Sequence, residues 1–202
     1  MKQREISAWR YAGLTHEEFH EILGDFLKPN LKILQSVSCF VTIASFVFGL
    51  KYVGDPECWA IAAGYFVLSV VNMLIFALAM WTAPKNRELE YFLIFIHILS
   101  IYANGIYDAV ITPEHYSVTF MVAIIVIPQV YNACLLYSVL TTVFAAINFI
   151  VWSIAFANES LVPVYVADAI LFGVLSIILD QHVTDVKLRR CLSEKRALDS
   201  NR

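Results

Sequence analysis

The chain consists of long, uncharged, apolar blocks separated by short segments that carry charge or proline. The blocks are 33–50, 58–84, 91–107, 116–158 and 160–179, the last interrupted by Asp168. A helix needs about 20 apolar residues to cross the hydrocarbon layer of a bilayer. Each shorter block therefore predicts one membrane span, and block 116–158 is long enough for two. With flanking residues included, we place six spans at about 31–52, 57–82, 90–110, 115–130, 132–157 and 161–181.

Prolines mark the predicted boundaries, because proline lacks the N–H group that a helix interior needs. The six lie at or near them: Pro29, Pro56, Pro84, Pro113, Pro128 and Pro163. The turn between the fourth and fifth spans is marked only by Pro128, Gln129 and Asn132.

The segment before the first span predicts a separate amphipathic helix. Thr15 and Glu18 have the spacing of a capping box, and Leu14 and Phe19 have that of a hydrophobic staple. Apolar residues then recur on one face: Phe19, Ile22, Leu23, Phe26 and Leu27. The opposite face is acidic and therefore a poor match for anionic lipid. We expect this helix to dock at the headgroup boundary or on another protein surface, with a simple interfacial anchor as the alternative.

The other end of the chain predicts one long helix that leaves the membrane without a break. No glycine or proline follows Gly173, so a helix from about Pro163 to Arg202 would reach roughly 60 Å. Beyond the sixth span, Leu188, Cys191 or Leu192, and Leu198 lie near a and d positions, with Lys195 between them. This spacing predicts a short parallel coiled coil in a homodimer; a frayed amphipathic tail is the alternative. A small-residue pair, Ala169 and Gly173, predicts that the dimer seam continues along the sixth span.

The distribution of basic residues fixes the expected orientation. Of the 14 Lys and Arg residues, all except Lys51 lie in segments that would share one side of the membrane. Short flanks keep basic residues on the cytoplasmic side, so we expect both termini in the cytoplasm and a multi-pass protein of the inner (plasma) membrane. A composition of 59% hydrophobic and 15% charged residues agrees with a bilayer environment. We expect no nucleic-acid partner.

The predicted fold is therefore an all-α, polytopic membrane protein. Residues 1–30 form a cytoplasmic amphipathic helix, residues 31–181 a domain of six transmembrane helices, and residues 182–202 a cytoplasmic coiled-coil linker helix.

Polar residues inside the spans supply the candidate ligand site. Ionisable groups in a span are costly and tend to face a bundle interior or a wet cavity. His97, Asn104 and Asp108 share one stripe of the third span, and Asp168 lies in the sixth span at a depth like that of Asn104. We expect these four residues to line an outward-opening pocket for a small polar or cationic ligand, or for a proton. Hydrogen bonding between helices is the alternative.

Known catalytic and cofactor patterns are missing from the sequence. It contains no lysine in a span interior for retinal, no facing pair of histidines at depth for haem, and no Walker, CxxC or Ser-His-Asp pattern. We therefore expect no catalytic residue, no metal site and no cofactor within this chain.

Two segments carry a resemblance to a known class of protein. They are FLKPNLKIL at 26–34, entering the first span, and DVKLRRCLSEKRAL at 185–198, leaving the sixth. With six spans between them, the layout resembles the MASE-like N-terminal sensor regions of bacterial signalling enzymes, namely GGDEF diguanylate cyclases, class III adenylate cyclases and histidine kinases. The resemblance implies a C-terminal cytoplasmic effector, with a diguanylate cyclase favoured, and it carries over no catalytic residue.

The sequence thus predicts a membrane sensor and dimerisation module that relays a ligand or membrane signal through the sixth span to an effector. One alternative is a small six-span transporter or substrate-binding membrane subunit. Another is a passive anchor that only dimerises an effector.

Overall fold

The computed structural model describes residues 14–81, 86–111, 118–133 and 135–200, and within them the chain is helical without a strand. Seven α-helices follow one another: α1 His16–Leu27, α2 Asn30–Tyr52, α3 Trp59–Trp81, α4 Arg87–Ile111, α5 Thr119–Val130, α6 Leu135–Phe156 and α7 Val162–Ser200. A short 3-10 turn, Pro56–Cys58, precedes α3. The all-α prediction is confirmed.

Five helical segments are long and apolar enough to cross a membrane. They are the continuous stretch of α1 and α2 (His16–Tyr52), α3, α4, α6 and α7. Their outer faces carry many exposed apolar side chains, among them Phe40, Val67, Phe144 and Leu171. This arrangement is that of a membrane protein, in which lipid replaces water around the bundle.

The predicted fourth span differs from the others. The span was placed at 115–130, whereas α5 begins at Thr119 and has 12 residues; residues 112–117 lie outside the described part of the chain. At about 1.5 Å per residue α5 rises about 18 Å, less than the roughly 30 Å of a hydrocarbon core. The count of six spans therefore stays a prediction, as does the side on which the termini lie.

The short helix α5 packs against α4, α6 and α7. Its buried side chains share one broad face of the helix, whereas Val122 and Val126 on the opposite face are exposed. The buried residues are Phe120, Met121, Ala123, Ile124, Ile127 and Pro128. Near its start Thr119 bonds Asp108 of α4, and just beyond its end Asn132 bonds Asn30 of α2. We call the end of the bundle near Asn30 the α1 end.

Close approaches of backbone hold neighbouring helices at short distances. A Cβ atom at Gly105 of α4 would lie 2.9 Å from Cα of Phe120 in α5. Similarly, a Cβ atom at Gly49 of α2 would lie 2.8 Å from Cε1 of Phe66 in α3. At Gly105 the clash would be with backbone, so this position depends on the missing side chain of glycine, whereas at Gly49 it would be with the half-buried ring of Phe66.

The helix α1 starts as predicted and then docks on α7 of the same chain. The Thr15 hydroxyl accepts from the N–H of Glu18 at 3.2 Å, and a Glu18 carboxylate oxygen accepts from the N–H of Thr15 at 3.0 Å, which completes the capping box. Apolar residues of α1 and α7 then form one buried cluster, built on Leu14, Phe19, Ile22, Phe26, Leu188 and Leu192. The surface that α1 contacts in the structure belongs to the chain itself.

The long helix α7 is unbroken over 39 residues, as predicted. Of the leucines assigned to a homodimeric coiled coil, Leu188 and Leu192 are 2% and 7% exposed because α1 covers them, whereas Leu198 is 66% exposed. The small residues predicted to lie in a dimer interface also pack within the chain. Ala169 and Gly173 are buried, and Gly173 faces Ala146 and Ile124. The side of α7 that this packing leaves exposed carries Ile170, Leu171, Val174 and Ile178.

Candidate functional site

A proline in α5 leaves one carbonyl of that helix without its usual hydrogen bond, and α7 contacts α5 at this carbonyl. Pro128 lies inside α5, not in the turn that follows the helix as the sequence suggested. A proline has no N–H to donate to the carbonyl four residues earlier, here that of Ile124. The hydroxyl of Ser176 on α7 donates to this carbonyl at 2.6 Å. A side chain of α7 thus completes the backbone hydrogen bonding of α5.

A second bond joins the same two helices at the α1 end. Nζ of Lys187 donates to the carbonyl of Gln129 at 3.0 Å. A cation at the C-terminal end of a helix meets both unpaired carbonyls and the negative end of the helix dipole. Burial lowers the pKa of Lys187, and the nearby carboxylate of Asp180 opposes that shift. We call the Ser176 and Lys187 contacts together the α5–α7 seam.

Asp180 lies between these two contacts and is 3% exposed. One carboxylate oxygen accepts from the Thr184 hydroxyl at 3.4 Å, and Ser138 of α6 lies beside the same group. The other oxygen has no hydrogen-bond partner among the described residues, and neither has the hydroxyl of Tyr102, which lies within electrostatic reach of Asp180. Buried polar groups normally have partners, so this cluster stands out as a polar centre.

The turn after α5 is fastened to the start of α2 by amide groups. Asn30 donates to the carbonyl of Asn132 at 2.7 Å, and the N–H of Asn132 donates back to the Asn30 side chain at 2.8 Å. The side chain of Asn132 also donates to the carbonyl of Phe26 at the end of α1. These bonds place the C-terminal end of α5 directly beside α1.

A half-open pocket of about 390 Å³ lies at this junction. Apolar side chains of α1, among them Phe19 and Leu23, form one wall, and Ile94 and Ile98 of α4 form another. The ring of Tyr131 also lines the pocket, whereas its hydroxyl is buried away from it and has no hydrogen-bond partner in the described structure. The pocket surface is therefore mostly apolar.

The four residues predicted to line an outward-opening pocket face different neighbours. His97 is fully buried, and its Nδ1 lies 2.6 Å from the amide oxygen of Asn72 on α3. The Asn72 nitrogen donates to the carbonyl of Leu68, which fixes the amide orientation, so the ring nitrogen of His97 is the donor.

Farther along α4, Asn104 lines a cleft of about 370 Å³ between α3 and α4. Asp108 accepts from the Thr119 hydroxyl at 2.7 Å, and Asp168 is half-buried on α7. His97 and Asp108 are three turns apart, about 16 Å along the helix, so the α4 stripe is divided among separate helix contacts. Ligand binding by these four residues stays a prediction.

Sequence reasoning passed over the α5–α7 seam for identifiable reasons. Asp180 and Lys187 stand at the predicted exit from the membrane, where charged side chains are expected to be solvated. Ser176 alone carries no signal, because serines within spans often bond their own helix. Pro128 carries the usable signal, since a proline inside a helix demands a donor from another element.

Charged contacts accompany the apolar docking of α1 on α7. Arg196 donates to the Glu18 carboxylate at 2.9 Å, and Nζ of Lys195 donates to the carbonyl of Glu21 at 2.7 Å. Hydrogen bonds from the N–H of Thr15 and from Arg196 hold the pKa of Glu18 below its ordinary value of 4.5. Both pairs are exposed, so they orient α1 more than they stabilise it.

The fold and these contacts define an all-α membrane protein in which a docked N-terminal helix, a central short helix and one long helix meet at one end. Among the described residues no group of three or more His, Cys, Asp or Glu side chains could hold a metal ion. Comparisons with known protein families, with curated protein sequences and with solved structures found no match.

Proposed function

We propose that the chain is a membrane sensor and dimerisation module that passes a ligand or membrane signal through α7 to a C-terminal cytoplasmic effector. In this proposal the chain crosses the inner membrane six times, with α5 as part of the fourth crossing and both termini in the cytoplasm. The skew of basic residues supports the orientation. The continuous α7 supports the relay, because a helix of 39 residues is about 58 Å long and transmits rotation or displacement along its axis.

One observation carries the proposal: Leu188 and Leu192 have two possible partners that exclude each other. In the structure they pack against α1. In the coiled coil that their spacing predicts, the same two side chains would pack against a second copy of α7. An element with two mutually exclusive arrangements is what a switch requires, since a signal needs only different affinity for the two.

The α5–α7 seam supplies a route from the bundle to this switch. Ser176 and Lys187 bond backbone carbonyls of α5 from two levels of α7. A rotation of α7 would break both bonds and leave two buried or half-buried carbonyls unpaired, at about 1–3 kcal/mol each. A tenfold change in output needs only about 1.4 kcal/mol of coupling free energy, so loss of these bonds is large enough to define two packings.

The effector is proposed from the resemblance of segments 26–34 and 185–198 to those of bacterial sensor regions. A diguanylate cyclase is favoured over an adenylate cyclase or a histidine kinase. In this proposal the chain itself contributes no catalytic group.

The relay is tested by fusing a diguanylate cyclase domain after residue 202 and inserting residues at the junction. At about 3.6 residues per turn, two inserted alanines rotate the effector by about 200°, whereas seven return it to within about 20° of its original direction. We expect the two-residue insertion to change cyclase activity several-fold and the seven-residue insertion to restore it. A cyclase fused to an unrelated dimeric span serves as the control. If both insertion variants and the control have equal cyclase activity, the relay proposal fails and the chain acts as a passive anchor.

The proposed ligand pocket has its own test in the same fusion. Asp108→Asn and Asp168→Asn should shift cyclase output while the amount of membrane-inserted protein stays constant. If these substitutions, together with substitutions of His97 and Asn104, all leave regulation unchanged, the pocket proposal fails while the relay proposal is unaffected.

A further inference from the structure

Two histidines on neighbouring turns of α1 converge at their Nε2 atoms. His16 and His20 are four residues apart and therefore lie on one side of the helix. Their Nε2 atoms are 3.1 Å apart, whereas the centroids of the two rings are 4.2 Å apart. Both side chains are exposed, so an ion can reach the pair from outside the protein.

This separation suits two ligands of one metal ion. With metal–nitrogen bonds of about 2.0–2.1 Å, two nitrogens 3.1 Å apart subtend an angle of about 95–102° at the metal. That angle lies between the roughly 90° of an octahedral or square-planar site and the roughly 109° of a tetrahedral one. A hydrogen bond between two neutral imidazoles has a similar length, and a metal ion would replace the proton of that bond.

The donor atoms select the class of metal. Imidazole nitrogen suits Zn²⁺, Ni²⁺ and Cu²⁺, whereas Mg²⁺ and Ca²⁺ prefer oxygen ligands. The sequence from His16 to His20 also has the HExxH spacing of zinc metalloproteases, whose zinc has a third protein ligand. Among the described residues no group of three His, Cys, Asp or Glu side chains forms. The site therefore supports metal binding completed by water, and not catalysis.

The local charges permit a cation at this turn. The N-terminal end of a helix dipole opposes a cation, and the carboxylates of Glu17 and Glu18 in the same turn offset this effect. Glu18 also bonds Arg196, which reduces its share.

We propose that His16 and His20 form a surface site for one divalent transition-metal ion such as Zn²⁺. The proposal departs from the expectation of no metal site that the sequence suggested. Both ligands meet only when this turn is helical, so the ion stabilises helical α1, which at 12 residues would be marginal in water by itself. Binding is independent of the relay, because it requires only α1 and can be measured without an effector.

Metal titration of the full, tag-free chain in phosphatidylcholine nanodiscs tests the site. Isothermal titration calorimetry with ZnCl₂ should show one ion bound per chain, and excess MgCl₂ should not displace it. Electron paramagnetic resonance with CuCl₂ counts the ligands, because each coordinated imidazole nitrogen splits the copper signal. We expect two nitrogens.

Variants assign the binding to this pair. His16→Gln and His20→Gln should each weaken Zn²⁺ binding about tenfold or more, because the second imidazole no longer binds intramolecularly. His182→Gln is the matched control and should leave the affinity unchanged. It removes an exposed histidine of α7 that has Ile178 and Val186, not histidine, four residues away.

Hydrogen exchange tests the effect on α1. Zn²⁺ at about ten times its Kd should slow amide exchange of residues 16–27 about tenfold in the wild-type chain and leave it unchanged in His20→Gln. Four results would overturn the proposal: Zn²⁺ affinity that survives in both α1 variants, displacement by MgCl₂, a copper signal with a single nitrogen, or exchange of α1 that Zn²⁺ does not slow.

Discussion

Truncation of Leu188 tests whether α1 and α7 hold each other through their apolar contact. Leu188 is 2% exposed and belongs to the cluster that contains Phe19, Ile22 and Phe26 of α1. Leu188→Ala removes three buried carbon atoms and leaves a space that the neighbouring side chains fill only in part. Such substitutions cost about 2–5 kcal/mol in well-packed cores. Because α1 is tethered at one end and can shift towards the space, we expect a value near 2 kcal/mol.

This cost falls on the docking of α1 rather than on the whole bundle. At about 1.4 kcal/mol per factor of ten, the open form of α1 should become roughly 30-fold more populated. Amide hydrogen exchange in nanodiscs measures this population, because exchange from a local opening reports its free energy. We expect faster exchange across residues 16–27, with exchange in α3 and α6 unchanged.

Leu198→Ala is the matched control, because it is the same substitution on the same helix at a side chain that is 66% exposed. It should leave the exchange of α1 unchanged. If Leu188→Ala and the wild-type chain exchange at the same rate over α1, the contact between α1 and α7 does not hold the helix, and the argument for a switch loses its basis.

Three further predictions concern other contacts. Ser176→Ala should lower the free energy of unfolding by about 1–3 kcal/mol, because it leaves a carbonyl of α5 without a partner. In a Pro128→Ala background the helix regains its own N–H donor, so the loss of stability should shrink. Equal losses in both backgrounds would refute the role assigned to Ser176. Gly105→Ala should destabilise the fold by about 1–3 kcal/mol through overpacking. Gly24→Ala should instead stabilise α1 by about 0.5–1 kcal/mol, because nothing lies within 4 Å of the added Cβ. Chemical denaturation in detergent measures both changes in stability, and two changes of the same sign would contradict the packing argument. Bonds from Thr15 and Arg196 lower the pKa of Glu18 from 4.5, so its contribution to docking is present above that value and disappears as the pH falls through the lowered pKa. Spin-label distances between α1 and α7 should therefore differ between wild type and Glu18→Gln at neutral pH, and the difference should vanish on acidification. A difference that does not depend on pH would show that the charge of Glu18 is not its cause.

Local patterns predicted the elements whose stability is local. The capping box at Thr15 and Glu18 forms as its spacing indicates, and α7 runs without a break because no glycine or proline interrupts it after Gly173. Both features depend on residues within a few turns of one another. Sequence patterns report such interactions directly.

The partners of these elements could not be predicted in the same way. Leucines at a and d spacing make one face of α7 apolar, and that face satisfies a second α7 or an amphipathic α1 equally well. The bounds of α5 were also out of reach, because no charged residue interrupts the block 116–158 to show where one helix ends and the next begins. In the candidate site, His97 of the predicted stripe bonds Asn72 of α3 and Asp108 bonds Thr119 of α5. The choice of these partners depends on neighbours far away in sequence.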